Sequence, residues 1–191
     1  MTAAATPLVF KRTFVQNLWY ALFRLLGWNA TYYDPGTRKY ICVVWPHTSN
    51  WDFIVGFIFS RAYPLPFPNF FAKDSVFKSW IGPLARKIGG IPVIRDRSTN
   101  FVEQVAAEFR KRDHLIIAIT PEGTRGKTEF WKTGFYYMAL AAEVPLVLAS
   151  IDYGKNLIPF GKTLAPTGDL AADMERIKEF YAGVVGRHIE R

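Results

Sequence analysis

The sequence is poor in cysteine and in charge, and it contains no long uninterrupted apolar run. Of its 191 residues one is a cysteine, Cys42, so no disulfide can form within the chain. A membrane-spanning helix needs roughly 20 predominantly apolar residues. Residues 14–28 are interrupted by polar and charged side chains, and the apolar run 53–59 is too short because Ser60 follows it. We therefore expect these two apolar segments to lie on a bilayer and not to cross it.

Targeting and nucleic-acid-binding signals are also missing. The N-terminal stretch MTAAATPLVFKRTF lacks the basic region, apolar stretch and cleavage site of a signal peptide, which predicts a cytoplasmic protein. No helix-turn-helix, finger or aromatic sheet motif indicates a nucleic-acid partner. Positive charge and aromatic side chains are abundant, with a formal net charge of +8 and 16% aromatic residues. They predict peripheral or monotopic binding to an anionic membrane surface on its cytoplasmic face.

The order of the apolar runs predicts a single α/β domain. Short β-rich runs without alternation are typical of strands that are buried on both faces, and here they alternate with helical patterns. We therefore predict a mostly parallel central sheet flanked by helices. The predicted strands are 40–45, 114–120 and 144–153; the predicted helices run from PHTSNWD to about residue 60 and over 12–28, 74–87, 99–113, 135–143 and 168–187, with an apolar loop at 63–70.

The first predicted helix has two interpretations. Its apolar residues recur at helical spacing, as expected of an amphipathic helix. The stripe could dock on the protein's own core, or it could anchor the protein at a membrane interface, for which the aromatic rings nearby are suited. The stripe consists of Phe14, Leu18, Leu22, Leu25 and Leu26, and the aromatic residues are Trp19, Tyr20 and Trp28.

The stretch PHTSNWD, residues 46–52, directly follows an apolar run. His47 could act as a general base, with Asp52 bonded to its second ring nitrogen to orient it. The same stretch is also typical of a helix N-terminus, with Thr48 or Ser49 as the N-cap residue and Asp52 complementing the helix dipole. No nucleophile accompanies the pair, so a base here would activate a hydroxyl group that the substrate brings.

A second polar cluster, PEGTRG at residues 121–126, also follows an apolar run. Together with Arg95 and Arg97 it could hold a phosphate group, although a surface turn explains the same letters. Pro121 stands where a P-loop requires glycine, which excludes that motif. Neither His114 nor His188 has ligand-like spacing to His47, so we predict no metal site.

Taken together, these residues resemble the glycerolipid acyltransferase family, in four blocks in order from about residue 40 to 150. The departures from the family pattern are Pro46, Thr120 and Leu148. The first block is His-x-Ser-x-x-Asp at His47, Ser49 and Asp52; the second is GGIPVIR, ending at Arg95; the third is Pro121, Glu122, Gly123, Thr124 and Arg125 with Lys132 and Gly134 after it; the fourth begins at Val144 and Pro145.

The resemblance implies an O-acyltransferase of phospholipid biosynthesis. It would move a fatty acyl group from acyl-CoA or acyl-carrier protein to a hydroxyl of a lysophospholipid or glycerol-phosphate-type acceptor, with no other cofactor. His47 would be the base and Asp52 its orienting partner, while amides near the helix N-terminus would stabilise the oxyanion. The residues implied to bind substrate are Ser49, Arg95, Arg97, Glu122, Gly123, Thr124, Arg125 and Lys132.

The implied organisation is an N-terminal amphipathic helix within residues 1–30, as a candidate anchor, followed by an acyltransferase domain over residues 31–191. Two other functions are compatible with the same residues. One is a catalytically inactive, basic membrane-binding module, and the other is a thioester or lipid hydrolase that uses the same pair to activate water.

Overall fold

A computed structural model describes residues 10–93, 101–122 and 131–187. The fold is a central sheet with helices on both faces. The strands are β1 (Asn29–Tyr32), β2 (Lys39–Val44), β3 (Phe70–Lys73), β4 (Gly90–Val93), β5 (Leu115–Ile119), β6 (Leu146–Ala149) and β7 (Leu157–Leu164). The helices are α1 (Phe14–Leu25), α2 (Trp51–Ala62), α3 (Asp74–Lys78), α4 (Gly82–Lys87), α5 (Phe101–Lys111), α6 (Gly134–Ala142) and α7 (Leu170–Tyr181).

The central sheet has five strands in the order β1-β7-β6-β2-β5. Strand β2 pairs in parallel with both β5 and β6, and β1 pairs in parallel with β7. Only the β6–β7 pair is antiparallel among the described strands. A separate parallel pair, β3 and β4, forms a second small sheet. The predicted α/β domain with a mostly parallel sheet is confirmed.

Strand β2 lies at the middle of the core, which explains its uninterrupted apolar sequence. Alternate side chains of a strand point to opposite faces of the sheet. Ile41 and Val43 belong to the apolar cluster on the side of α5, α6 and α7, whereas Tyr40 and Cys42 belong to the cluster on the side of α1 and α2. Both faces of β2 are therefore buried, and burial raises the pKa of the Cys42 thiol to about 12.

Several element boundaries differ from the sequence prediction. The predicted helix at 74–87 is two helices, α3 and α4, because the chain turns where Gly82 lies against the Phe77 carbonyl; a Cβ at Gly82 would be 2.2 Å from that oxygen. Strands β1, β3, β4 and β7 were not predicted. Strand β7 contains Pro159 and Gly161, residues that are unfavourable in strands, and it forms because it pairs with both β6 and β1.

Helix α1 docks on the core, but not through its leucine stripe. Phe23 is 0% exposed and its ring packs against those of Trp28, Phe59 and Tyr63. By contrast, every member of the stripe is exposed, up to 77% for Phe14 and 84% for Leu25. The helix thus uses its aromatic side for the core and leaves its aliphatic side uncovered.

We expect Phe23→Ala to lower the free energy of unfolding by about 3–5 kcal/mol, because it deletes a fully buried ring. Leu25→Ala should change it by less than about 0.5 kcal/mol, because the side chain is exposed. Urea unfolding followed by circular dichroism measures both values. Equal destabilisation by the two substitutions would contradict the docking face that we describe for α1.

Candidate active site

Three polar segments meet at one edge of the sheet because three neighbouring strands run in the same direction. His47 follows β2, Glu122 follows β5 and Tyr153 follows β6, and β6, β2 and β5 are adjacent and parallel. The carboxyl ends of such strands lie side by side, which is where ligands bind in open α/β sheets. The position of the candidate site therefore follows from the topology.

His47 and Asp52 are in contact. The imidazole Nδ1 lies 3.1 Å from Oδ2 of Asp52, and the carboxylate is buried while the His47 side chain keeps 24% of its exposure. An ionised carboxylate only accepts hydrogen bonds, so Nδ1 carries the proton and Nε2 is the atom that can accept one from a substrate. This is the arrangement required of an oriented general base.

The Asp52 carboxylate accepts hydrogen bonds from four donors. Its Oδ2 receives the backbone N–H groups of Thr48 and Ser49, at 2.8 and 2.9 Å, as well as His47 Nδ1. Its Oδ1 receives the Tyr153 hydroxyl at 2.7 Å. Burial alone would raise the pKa of Asp52, but the bonds from these four residues lower it below its ordinary value. Asp52 is therefore ionised at neutral pH.

The loop between β2 and α2 forms a hydrogen-bonded enclosure for Asp52. Helix α2 begins at Trp51, later than predicted, and its N-cap residue Asn50 makes no side-chain cap bond. Ser49 Oγ instead accepts the N–H of Trp51 at 3.2 Å, and Ser49 is buried. Asp52 lies in the first turn, as predicted. The stretch thus contains both a helix start and a histidine–carboxylate pair.

Glu122 supports the same loop from the neighbouring strand. Its Oε2 accepts the backbone N–H of His47 at 3.1 Å. Burial raises the pKa of Glu122, and the bond from His47 opposes the shift. The carboxylate was predicted to shape a substrate pocket, and its observed contact is with the loop that carries His47.

The amide groups near the start of α2 already have acceptors. The N–H groups of His47, Thr48 and Ser49 donate to Glu122 or Asp52. A donated proton cannot also stabilise an oxyanion without breaking these bonds. The expectation that amides at this terminus form the oxyanion hole is therefore not supported for these three groups.

The structure brings together some of the remaining predicted residues and does not describe others. Lys132 is exposed, and its N–H donates to the Pro121 carbonyl at 2.8 Å, next to Glu122. Its role in substrate binding, like that of Ser49, stays a prediction. Arg95, Arg97, Gly123, Thr124 and Arg125 lie outside the described residues, as does His188.

No group of metal-binding side chains occurs within residues 10–93, 101–122 and 131–187. His114 is far from His47 in the fold, because it precedes β5 whereas His47 follows β2, which is parallel to β5. Its ring nitrogen instead contacts the Arg38 guanidinium at 2.6 Å.

Tyr153 is the site residue that sequence reasoning missed. The stretch 144–153 was predicted to be one strand, which made Tyr153 a strand residue. Strand β6 in fact ends at Ala149. The pattern that identified the segments of His47 and Glu122 was a polar residue directly after a buried strand. The same pattern could have identified Tyr153 after β6.

An apolar cavity of about 190 Å³ adjoins His47. It lies between α2 and the sheet, with His47 and Asp52 in its wall. The rest of its lining is largely apolar and includes Cys42, Phe53, Gly56, Phe59, Ile158 and Phe160. Larger grooves of about 670 and 680 Å³ occur at the opposite sheet edge and beside α7, but neither contains His47 or Asp52.

Comparison with known proteins identifies the class. Residues 32–152 match the model of the family described as Acyltransferase, a span that contains His47, Asp52 and Glu122. The chain therefore belongs to the acyltransferase family, in agreement with the four sequence blocks. No match was found among curated proteins.

The lowered pKa of Asp52 predicts how stability depends on pH. Its contribution is fully present above the pKa of an unfolded aspartate, about 3.9, and is lost as pH falls through the lower folded value. The unfolding free energy of the wild type should thus fall more steeply below about pH 4 than that of Asp52→Asn, in which Glu122 is unchanged. Urea unfolding at a series of pH values measures this, and parallel curves would contradict it.

Proposed function

We propose that this protein transfers a fatty acyl group from an acyl thioester, acyl-CoA or acyl-carrier protein, to a hydroxyl of a phosphate-bearing lipid acceptor of the lysophospholipid or glycerol phosphate type. The observation that carries this proposal is the 3.1 Å contact between His47 Nδ1 and the buried Asp52, at the wall of an apolar cavity. The family membership supports acyl transfer, and the cavity supports a hydrocarbon substrate.

The reaction is a single displacement. His47 Nε2 takes the proton of the acceptor hydroxyl as its oxygen attacks the thioester carbonyl carbon, and Asp52 stabilises the imidazolium. When the tetrahedral intermediate collapses, the carbon–sulfur bond breaks and the leaving thiolate takes the proton from the imidazolium. No acyl-enzyme is needed. Cys42, the single thiol, is buried in the core with a raised pKa, which makes it a poor nucleophile.

The acyl chain would occupy the cavity between α2 and the sheet. Its lining presents almost no polar surface. An alkyl chain that enters it therefore gains the free energy of leaving water. Gly56 adds to the space, because a Cβ at this position would have no heavy atom within 4 Å. Phe53 lines the cavity and is also exposed, so it lies at the mouth.

The acceptor phosphate would bind on the other side of the base, near the segment that follows β5. Arg95, Arg97 and Arg125 are proposed to hold it by charge-assisted hydrogen bonds, with Lys132 nearby. For the three arginines the sequence is the only support. Lys132 has structural support as well, because its backbone N–H donates to the Pro121 carbonyl.

The apolar surface of α1 and α2 would seat the protein on an anionic membrane. The two helices are in contact, with the ring of Trp19 against that of Phe57. Exposed apolar area of this extent marks an interaction surface, and no described helix is long and apolar enough to cross a membrane. The exposed members are Phe14, Val15, Leu18, Leu22, Leu25 and Leu26 from α1 and its C-cap, and Trp51, Phe53, Ile54 and Phe57 from α2.

Incubation of the purified protein with labelled acyl-CoA and a mixture of lysophospholipids and glycerol 3-phosphate, followed by lipid mass spectrometry, tests the transfer. The wild type should form acylated acceptor. His47→Ala should lower the rate at least about 100-fold, because the base is lost. His114→Ala, a histidine at the opposite sheet edge, should leave the rate unchanged.

The same assay separates the alternatives. Free fatty acid that forms at equal rates with and without acceptor would indicate a hydrolase. An inactive wild type with every donor, including acyl-carrier protein, would indicate a membrane-binding module. A fully active His47→Ala variant would contradict the assignment of the base.

Vesicle flotation tests the membrane surface. Phe14→Glu together with Leu25→Glu should weaken binding to anionic phospholipid vesicles at least tenfold, because each side chain contributes about 1.5–3 kcal/mol when buried. The control is Tyr137→Glu, an exposed aromatic residue on α6, on the other face of the sheet. Equal loss in the control would show that added negative charge alone explains the effect.

A further inference from the structure

Tyr153 contacts the side of Asp52 that faces away from the base. Its hydroxyl donates to Oδ1 at 2.7 Å, whereas His47, Thr48 and Ser49 all donate to Oδ2. Within the described residues, the Tyr153 hydroxyl is the one donor to Oδ1. Burial, followed by the bond to Asp52, raises the pKa of Tyr153, so the hydroxyl keeps its proton at every pH at which the enzyme would work.

The backbone of Tyr153 is held in a tight turn between β6 and β7. The Asp152 carboxylate caps this turn by accepting the N–H groups of Gly154 and Lys155, at 2.9 and 3.2 Å. Asp152 also pairs with Leu157 across the turn. The turn therefore fixes the position of the backbone from which the Tyr153 side chain extends.

Residues that follow α1 and α7 contact Tyr153. Trp28, which follows α1, packs edge to face on it with ring centres 5.0 Å apart. Val185, which follows α7, accepts the Tyr153 N–H at 2.9 Å. Arg187 lies 6.0 Å from the ring centre, and its backbone N–H donates to Thr48 Oγ1 at 3.0 Å.

A tyrosine with a purely structural role has no need to bond this particular carboxylate. A half-buried hydroxyl can bond water or any nearby acceptor, but the Tyr153 hydroxyl reaches the carboxylate that contacts His47. Trp28 and Val185, from two distant parts of the chain, contact the same tyrosine. Aspartate χ2 is a soft torsion with broad preferences. Fixing Oδ1 therefore also fixes the direction in which Oδ2 faces the imidazole.

We propose that Tyr153 is a positioning residue for acyl transfer, which locks the Asp52 carboxylate and disperses its charge so that His47 stays available as a base. This inference rests on the function proposed above. When a donor binds Oδ1, less negative charge acts on the imidazole. Without the donor, Asp52 would attract the imidazolium more strongly, and His47 would hold its proton to higher pH.

Tyr153→Phe tests the role, because it removes the hydroxyl and keeps the ring against Trp28. We expect kcat to fall roughly 10- to 100-fold, by analogy with the loss of hydrogen-bond partners that orient metal ligands, with the KM values for donor and acceptor unchanged. We also expect the acidic limb of the pH–rate profile to move to higher pH. The other charged groups that face the cluster, Glu122 and Arg187, are unaltered in this variant.

Tyr136→Phe is the matched control. Its hydroxyl also donates to a buried carboxylate, Asp173 Oδ2 at 2.9 Å, but in the core cluster on the other face of the sheet. Thermal unfolding should show that both variants lose some stability. Only Tyr153→Phe should change kcat and the pH–rate profile, because only its hydroxyl bonds the carboxylate that faces the base.

A titration of the His47 ring by NMR provides a readout that needs no substrate. Its midpoint should move to higher pH in Tyr153→Phe relative to the wild type and stay in place in Tyr136→Phe. An unchanged midpoint, or a change of equal size in the control, would overturn the inference. If the midpoint moves but the wild type transfers no acyl group, the coupling of Tyr153 to His47 stands and the proposed function fails.

Discussion

Removing a carboxylate from water is costly unless hydrogen-bond donors replace the water that it loses. Asp52 is such a carboxylate, and the structure meets its requirement with two backbone N–H groups of its own loop, the imidazole of His47 and the hydroxyl of Tyr153. The backbone bonds shape the loop that follows β2, and the side-chain bonds connect that loop to the β6–β7 turn. The same carboxylate therefore connects the His47 ring, the loop after β2 and the β6–β7 turn.

Different sides of helix α2 contribute to the Asp52 site, to the apolar cavity and to the exposed surface. Its first turn supplies Asp52, its inner side supplies Gly56 and Phe59 to the apolar cavity, and Trp51 and Ile54 remain exposed. This explains why the segment is apolar on nearly every side without being long enough to span a membrane. Asp52, part of the cavity wall and part of the exposed apolar surface thus belong to one helix.

Much of the site could be predicted from local sequence. The spacing of His47 and Asp52 within one loop and one helical turn is short enough for contact, and the apolar runs of β2, β5 and β6 predict buried parallel strands whose ends adjoin. The match to the acyltransferase family over residues 32–152 agrees with the same blocks. Strand β7 could not be predicted, because a strand that contains Pro159 and Gly161 depends on its partners and not on its own propensity.

The sequence by itself determined the α/β class through the periodicity of its apolar runs, and the contact of His47 with Asp52 through spacing within a few residues. The resemblance of four sequence blocks indicated the family, which the match over residues 32–152 shows. Only the tertiary structure decided which side of α1 meets the core, since its aromatic and aliphatic sides are both apolar and Phe23 fits between Trp28 and Phe59. It also decided that Glu122 supports the backbone of His47 and that Tyr153 completes the shell of Asp52. These contacts join residues 75 and 101 positions apart, a separation over which local pattern carries no information.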